Sequence, residues 1–218
     1  MKLPYKINAT MEAMTLLMLL GATAASFWLY SQFPETVATH WNFSGEPDGY
    51  SGRVFAAFFF PAFSWGIYLL ITFLPLIDPK RDRYHEFSSV YNAIRLLIVG
   101  LMVAIYGLTA ASGLGYNVPI GILVPGLIGL LFIALGNFMP HIKRNWFVGI
   151  RTPWTISSEA VWTETHRIGG KIFMAAGAVC IIIPFLPGVF ALPLFITTIV
   201  LLLAGTVGYS WWVWKKTQ

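Results

Sequence analysis

The chain has 218 residues, 57% of them hydrophobic and only 11% charged, with a net charge of +5 and a mean hydropathy of +0.70. A soluble domain carries about 25% charge, so the composition excludes an ordinary soluble fold and indicates an integral membrane protein. A DNA-binding module is excluded as the source of the basic excess, no direct nucleic-acid contact is expected, and a single cysteine, Cys180, rules out both an intramolecular disulfide and a cysteine-based zinc cluster.

A helix needs about 20 mainly apolar residues to cross the hydrocarbon core. Six stretches qualify: 11–30, 54–77, 90–111, 118–139, 171–186 and 189–214. The first follows Lys2 and Lys6 and contains Ala22-Thr23-Ala24, which imitates a cleavable secretion signal. It continues through Phe27, Trp28, Leu29 and Tyr30, long enough to span and ending in interfacial aromatics, so it is expected to be retained. Strand alternation of the barrel kind is missing. The predicted fold is all-α, a polytopic six-helix transmembrane bundle making one integral membrane domain over 1–218.

Basic residues set the orientation. With the N-terminus inside, Lys2, Lys6, Lys80, Arg81, Arg83, Arg95, Lys143, Arg144, Arg151, Arg167, Lys171, Lys215 and Lys216 all fall at the cytoplasmic side, and Arg53 alone lies outside. The expected topology is N-in/C-in in a bacterial cytoplasmic (inner) membrane, with the lipid bilayer as the first partner. Glu12, at the start of the first span, and Arg95, a turn and a half into the third, are expected to anchor at the interface or pair with loop charges. Glycines such as Gly126, Gly129 and Gly205 let helix backbones approach closely, which favours a packed bundle over a pore.

Two loops hold most of the polar chemistry. The outer one, 31–53, carries Gly45, Pro47 and Gly49 among Ser44, Glu46 and Asp48, which is turn chemistry. With Trp41, Phe43 and Tyr50 it is expected to be compact and ordered. His40, Glu46 and Asp48 lack helical ligand spacing, so neither a metal nor a cofactor is expected. In the cytoplasmic loop, 140–170, Pro153 followed by Ser157, Ser158 and Glu159 predicts a short capped helix over about 158–167, and Gly169-Gly170 predicts a bend before the fifth span. Trp162 and His166 share one face of that helix. There is no His-Glu-x-x-His pair, no Gly-x-Ser-x-Gly elbow and no glycine-rich phosphate loop, so no catalytic residue is expected. The Trp and Arg content suits either a recognition surface or interfacial anchoring.

The outer Thr39-His40-Trp41-Asn42-Phe43-Ser44-Gly45-Glu46-Pro47-Asp48-Gly49 resembles the N-terminal motif of SdpI-type bacterial membrane proteins. Gly136-Asn137-Phe138-Met139-Pro140, the run Asn145 to Thr155, Ser158-Glu159-Ala160-Val161-Trp162 and Thr165-His166-Arg167 are similar to that family's C-terminal signature. The resemblance implies a non-enzymatic immunity protein that protects its cell from a secreted peptide toxin. It further implies a toxin receptor that holds a transcriptional repressor at the membrane. The residues then expected to meet the peptide are His40, Trp41, Asn42, Phe43, Gly45, Glu46 and Asp48. Those expected to dock the repressor are Asn145, Arg151, Trp154, Glu159, Trp162, His166 and Arg167. Two alternatives are a transporter or channel for a peptide or small solute, disfavoured by the missing mid-membrane charge, and a metal-assisted membrane hydrolase. The topology has a direct check. Cysteine at Ser44 is expected to react with an impermeant thiol reagent in intact cells and cysteine at Ser157 to react only after lysis; labelling of Ser157 from outside would reverse the orientation.

Overall fold

Asn8 opens the first helix by accepting the Met11 amide at 3.0 Å on its side-chain oxygen, the capping bond that an N-terminal helix end requires. The computed structural model describes residues 2–218. Its elements are α1 (Ala9–Gln32), β1 (Thr36–Trp41), β2 (Pro47–Gly52), α2 (Arg53–Phe73), α3 (Ser88–Gly113), α4 (Ile120–Phe138), α5 (Pro153–Ser157), α6 (Glu159–Ile182) and α7 (Gly188–Lys216). Six of the helices are long and apolar enough to cross a membrane, giving an all-α polytopic bundle. An even number of crossings leaves both termini at one end, called here the terminal end. The β1–β2 hairpin caps the other.

The first three helices are fastened at the terminal end by a buried charge pair. Arg95 on α3 is 2% exposed, and its Nη1 lies 3.0 Å from the Glu12 carboxylate on α1. Its Nη2 donates to the Thr72 hydroxyl on α2 at 2.7 Å, and the guanidinium faces the rings of Tyr5 and Tyr68. Tyr68 also donates to Glu12. The two charges therefore pair with each other between helices, not with the loop charges that the sequence also allowed. Lipid offers an ion no hydration, so a partner on the neighbouring helix replaces it. Asn92, beside Arg95, donates to the Lys6 carbonyl at 2.8 Å and ties down the segment before α1.

Pro61 inside α2 cannot donate to the carbonyl one turn back, that of Ala57. Tyr106 on α3 takes up that carbonyl at 2.8 Å, so a helix defect becomes an interhelical tie.

The second unit is built on α4 and α6. A Cβ added at Gly170 would lie 2.4 Å from the Gly136 carbonyl, and one at Gly177 would lie 2.4 Å from that of Gly129. Both pairs recur at seven-residue spacing, two helical turns, so the bare backbones meet twice along one seam. The same contacts correct the predicted bend: α6 runs unbroken from Glu159 to Ile182 through Gly169-Gly170. Neither glycine breaks the helix, because their missing side chains admit Met139, Ile150 and α4. The short cytoplasmic helix expected over 158–167 is the first part of this long one.

The loop expected to be ordered is an antiparallel hairpin, pairing Thr36 with Gly52, Val37 with Ser51 and Ala38 with Tyr50. It is pinned to the bundle by Val37, buried against Phe33 and Gly113.

Replacing Arg95 by Met leaves the partly buried Glu12 carboxylate without its cation and is expected to lower unfolding stability, by up to about 3 kcal/mol. Adding Glu12→Gln to that variant should restore most of the loss. Denaturant or thermal unfolding of the purified single and double variants checks this, and an additive double variant would remove the pairing argument.

Candidate functional site

The hairpin roofs a chamber of about 790 Å³ walled by the adjoining ends of α2, α3, α4, α6 and α7. Five of the seven sequence-predicted residues line it: His40, Trp41, Asn42, Phe43 and Gly45. Local chemistry explains how they arrive there. Asn42 begins the turn: its side-chain oxygen accepts the amides of Ser44 at 2.9 Å and Glu46 at 3.0 Å, an Asx-type closure. Gly45 adopts φ +80°, a conformation L side chains rarely take. It lies so close to the first turn of α4 that a Cβ on Gly121 would be 3.0 Å from its Cα. Phe43 then reaches α7, its ring 5.6 Å from that of Phe195. Asn42 and Gly45 thus shape the roof, whereas Trp41 and Phe43 furnish its surface.

Glu46 and Asp48 are not among the chamber's lining residues and face solvent. Asp48 pairs with His40 Nδ1 across the strands at 2.5 Å. Among the described residues no group of three or more His, Cys, Asp or Glu side chains is placed to hold a metal.

The chamber also contains residues that the sequence did not assign to a site. Ile105 and Thr109 come from α3, Gly121 and Pro125 from α4, and Cys180 from α6. The one usable signal was Pro125 inside an apolar span; no periodicity marks the others. Apart from the roof the walls are largely aliphatic, with a few polar groups, which is the make-up of a site for an apolar ligand that carries some polarity.

At the terminal end the second set of predicted residues divides sharply. Asn145, Trp162 and His166 are 0%, 1% and 0% exposed. Asn145 accepts the amides of Phe147 at 2.8 Å and Val148 at 2.6 Å, while its own NH₂ donates to the carbonyls of Lys143 and Val148. Tyr84, which donates to Asp78 at 2.9 Å, lies 3.2 Å from the Asn145 oxygen. Trp162 donates to the Ile142 carbonyl at 2.8 Å and stacks on His166. His166 Nδ1 sits 2.8 Å from the Trp162 carbonyl and therefore carries the hydrogen; Nε2 accepts the Ile150 amide at 3.0 Å. Gly149, at φ +110°, is required here, since any Cβ would fall 2.3 Å from that nitrogen. These three side chains fold the 140–158 segment onto α6. They have no face left for a partner, which corrects their assignment to a docking surface.

Arg151 and Arg167 are exposed, Glu159 is exposed and Trp154 partly so. Glu159 lies 3.1 Å from both Arg83 and Arg144 and joins three segments. Arg167 pairs with Glu164 at 2.6 Å, and Glu164 also accepts from Tyr209 on α7.

Residues 141–211, which hold this folded segment together with α6 and most of α7, match the model of the SdpI/YfhL protein family. Residues 17–64, from α1 through the hairpin into α2, match a domain of unknown function (DUF1648). Over 191 residues the chain is 26% identical to Immunity protein SdpI of Bacillus subtilis (strain 168), covering 88% of this chain and 89% of that one. At both ends the chain is thus similar to SdpI-type membrane proteins. No solved structure matches it. Both matched stretches contribute to the chamber, the hairpin from the first and Cys180, Ala191 and Phe195 from the second.

The buried and exposed residues of the terminal end are expected to behave differently on truncation. His166→Ala removes the acceptor of a buried amide and should cost about 1–3 kcal/mol of stability, seen as a lower melting temperature of purified protein. Arg167→Ala should leave that temperature unchanged. Equal losses in the two variants would contradict the division.

Proposed function

We propose that this protein is an immunity protein of a bacterial cytoplasmic membrane, protecting its cell from a secreted, membrane-active peptide that it meets in the hairpin-roofed chamber. The observation that carries the reading is the chamber itself. It is apolar enough to take a peptide segment from the bilayer, and its roof is the hairpin that brings Trp41 and Phe43 over the opening. Similarity to a protein named for immunity supports the same conclusion. With N-in/C-in topology, the direction favoured by the asymmetry of basic residues, the hairpin faces the side from which a secreted peptide arrives.

Protection then follows from competition for the peptide. A peptide that inserts into the outer leaflet gains by burying apolar side chains. A preformed apolar chamber offers that burial without membrane damage, and Trp41 and Phe43 add rigid aromatic area at small entropic cost. The bulk of the terminal end is packed shut by the Asn145, Trp162 and His166 network, so the peptide is retained at the hairpin end rather than passed through. A signalling role, in which a repressor is held at the cytoplasmic face, is confined on this reading to Arg151, Trp154, Glu159 and Arg167.

The test is survival of a deletion strain carrying variants, challenged with the host's own culture supernatant. Truncating a buried aromatic anchor commonly costs about 2 kcal/mol, roughly thirtyfold in affinity. Trp41→Ala is therefore expected to reduce protection while the amount of protein in the membrane stays constant. Tyr50→Ala, at a ring 64% exposed that is not part of the chamber lining, should protect like the parent. Loss of protein together with protection in Trp41→Ala would make that ring a packing element.

A further inference from the structure

Inside helices, the threonines Thr15, Thr72, Thr198 and Thr206 all satisfy their hydroxyls on the carbonyl four residues back, at 2.6 to 2.8 Å. Thr109 does not. It is 2% exposed and lines the chamber from α3; its hydroxyl makes no such bond and, unlike that of Thr165, is not among the sealed unpaired atoms, so it opens into the chamber. A second polar group is left open across the chamber on α4. Pro125 has no N–H to give the carbonyl of Gly121, one turn before it. The comparable defect at Pro61 is repaired, because Tyr106 donates to the freed Ala57 carbonyl. No side chain among the described residues does the same for Gly121, and both Gly121 and Pro125 line the chamber. The indole N–H of Trp41, in the roof, is likewise without a partner among the described residues.

A hydroxyl and a freed carbonyl that face a largely apolar chamber gain from a polar partner. A lipid acyl chain offers them nothing. The end of a helical peptide offers the complementary groups, because its first four N–H and last four C=O groups have no partner within the helix. A free peptide N–H suits the Gly121 carbonyl, and a free peptide C=O suits the Thr109 hydroxyl or the Trp41 indole. We infer that the chamber recognises the unpaired backbone of a peptide helix end, with Thr109 and the Gly121 carbonyl as its polar anchors. This rests on the chamber being the peptide's contact, and it adds that recognition is read from backbone ends as well as from apolar side chains. It identifies the ligand as a peptide terminus or helix break and excludes a hydrocarbon chain as the preferred occupant.

The experiment uses the full chain in nanodiscs of phosphatidylglycerol and phosphatidylethanolamine with two probes. One is a synthetic leucine–alanine helical peptide carrying a nitroxide at its end; the other is stearate with a nitroxide at its chain end. Quenching of Trp41 is taken as the fluorescence difference between the parent and Trp41→Phe. The peptide is expected to quench saturably. Thr109→Val, of the same shape but without the hydroxyl, should raise its half-saturation concentration about tenfold, and Thr109→Ser should restore it. Pro125→Ala returns a donor to the Gly121 carbonyl and should weaken the peptide severalfold by a route independent of Thr109. Stearate should be indifferent to all three variants. A shift in the peptide curve for either Thr109→Val or Pro125→Ala, with helix content unchanged, supports the inference. If the peptide quenches but neither variant moves its curve, the polar anchors are overturned while the chamber keeps its assigned role. If only stearate quenches, or neither probe does, the chamber is not a peptide site and both readings fall.

Discussion

A polar group held inside a lipid bilayer has no water to fall back on, so each must find its partner within the protein. Much of the described architecture follows from that constraint. Arg95 and Glu12 neutralise each other across α1 and α3, with Thr72, Tyr68 and Asn92 taking further hydrogen bonds. Tyr106 repairs the carbonyl that Pro61 frees. Where no polar repair is needed, the backbones close up directly, as at the Gly129–Gly177 and Gly136–Gly170 contacts.

The two ends of the bundle are built differently. The terminal end holds the densest polar network, although Arg95 Nε and Thr165 Oγ1 stay unpaired there: Asp78 takes the amides of Lys80 and Trp146 and the hydroxyl of Tyr84, and His166 uses both ring nitrogens. At the hairpin end the helices are held by aromatic and glycine contacts, and a chamber is left between them. A pocket that is already formed binds with less ordering cost than one that must assemble around its ligand. The proposed immunity function uses this asymmetry, with the packed end holding the shape and the open end meeting the peptide.

The same asymmetry explains why residue type alone misplaced the terminal-end contacts. Trp, His and Asn are enriched both in recognition surfaces and in buried hydrogen-bonded staples, and only burial separates the two uses. Trp162 and His166 share a helix face at four-residue spacing, which was visible in the sequence. That this face turns inward, toward Ile142 and Ile150, depends on how the 140–158 segment folds back. Arg151 and Arg167, by contrast, stay exposed at the terminal end.

By itself the sequence determined the membrane class, the number of spans and the ordered turn at Asn42 to Gly49, because hydropathy and turn chemistry are local properties written in consecutive residues. It also contained the seven-residue spacing of Gly129 and Gly136 and of Gly170 and Gly177, but not which pair would meet which. Tertiary structure alone decided that Gly169-Gly170 would pass through an unbroken α6, that Arg95 would pair with Glu12 eighty-three positions away, and that Thr109, Gly121 and Trp41 would share one chamber. Each of those outcomes depends on contacts between helices distant in sequence, where a missing side chain or an unpaired polar atom has meaning only once its neighbour is in place.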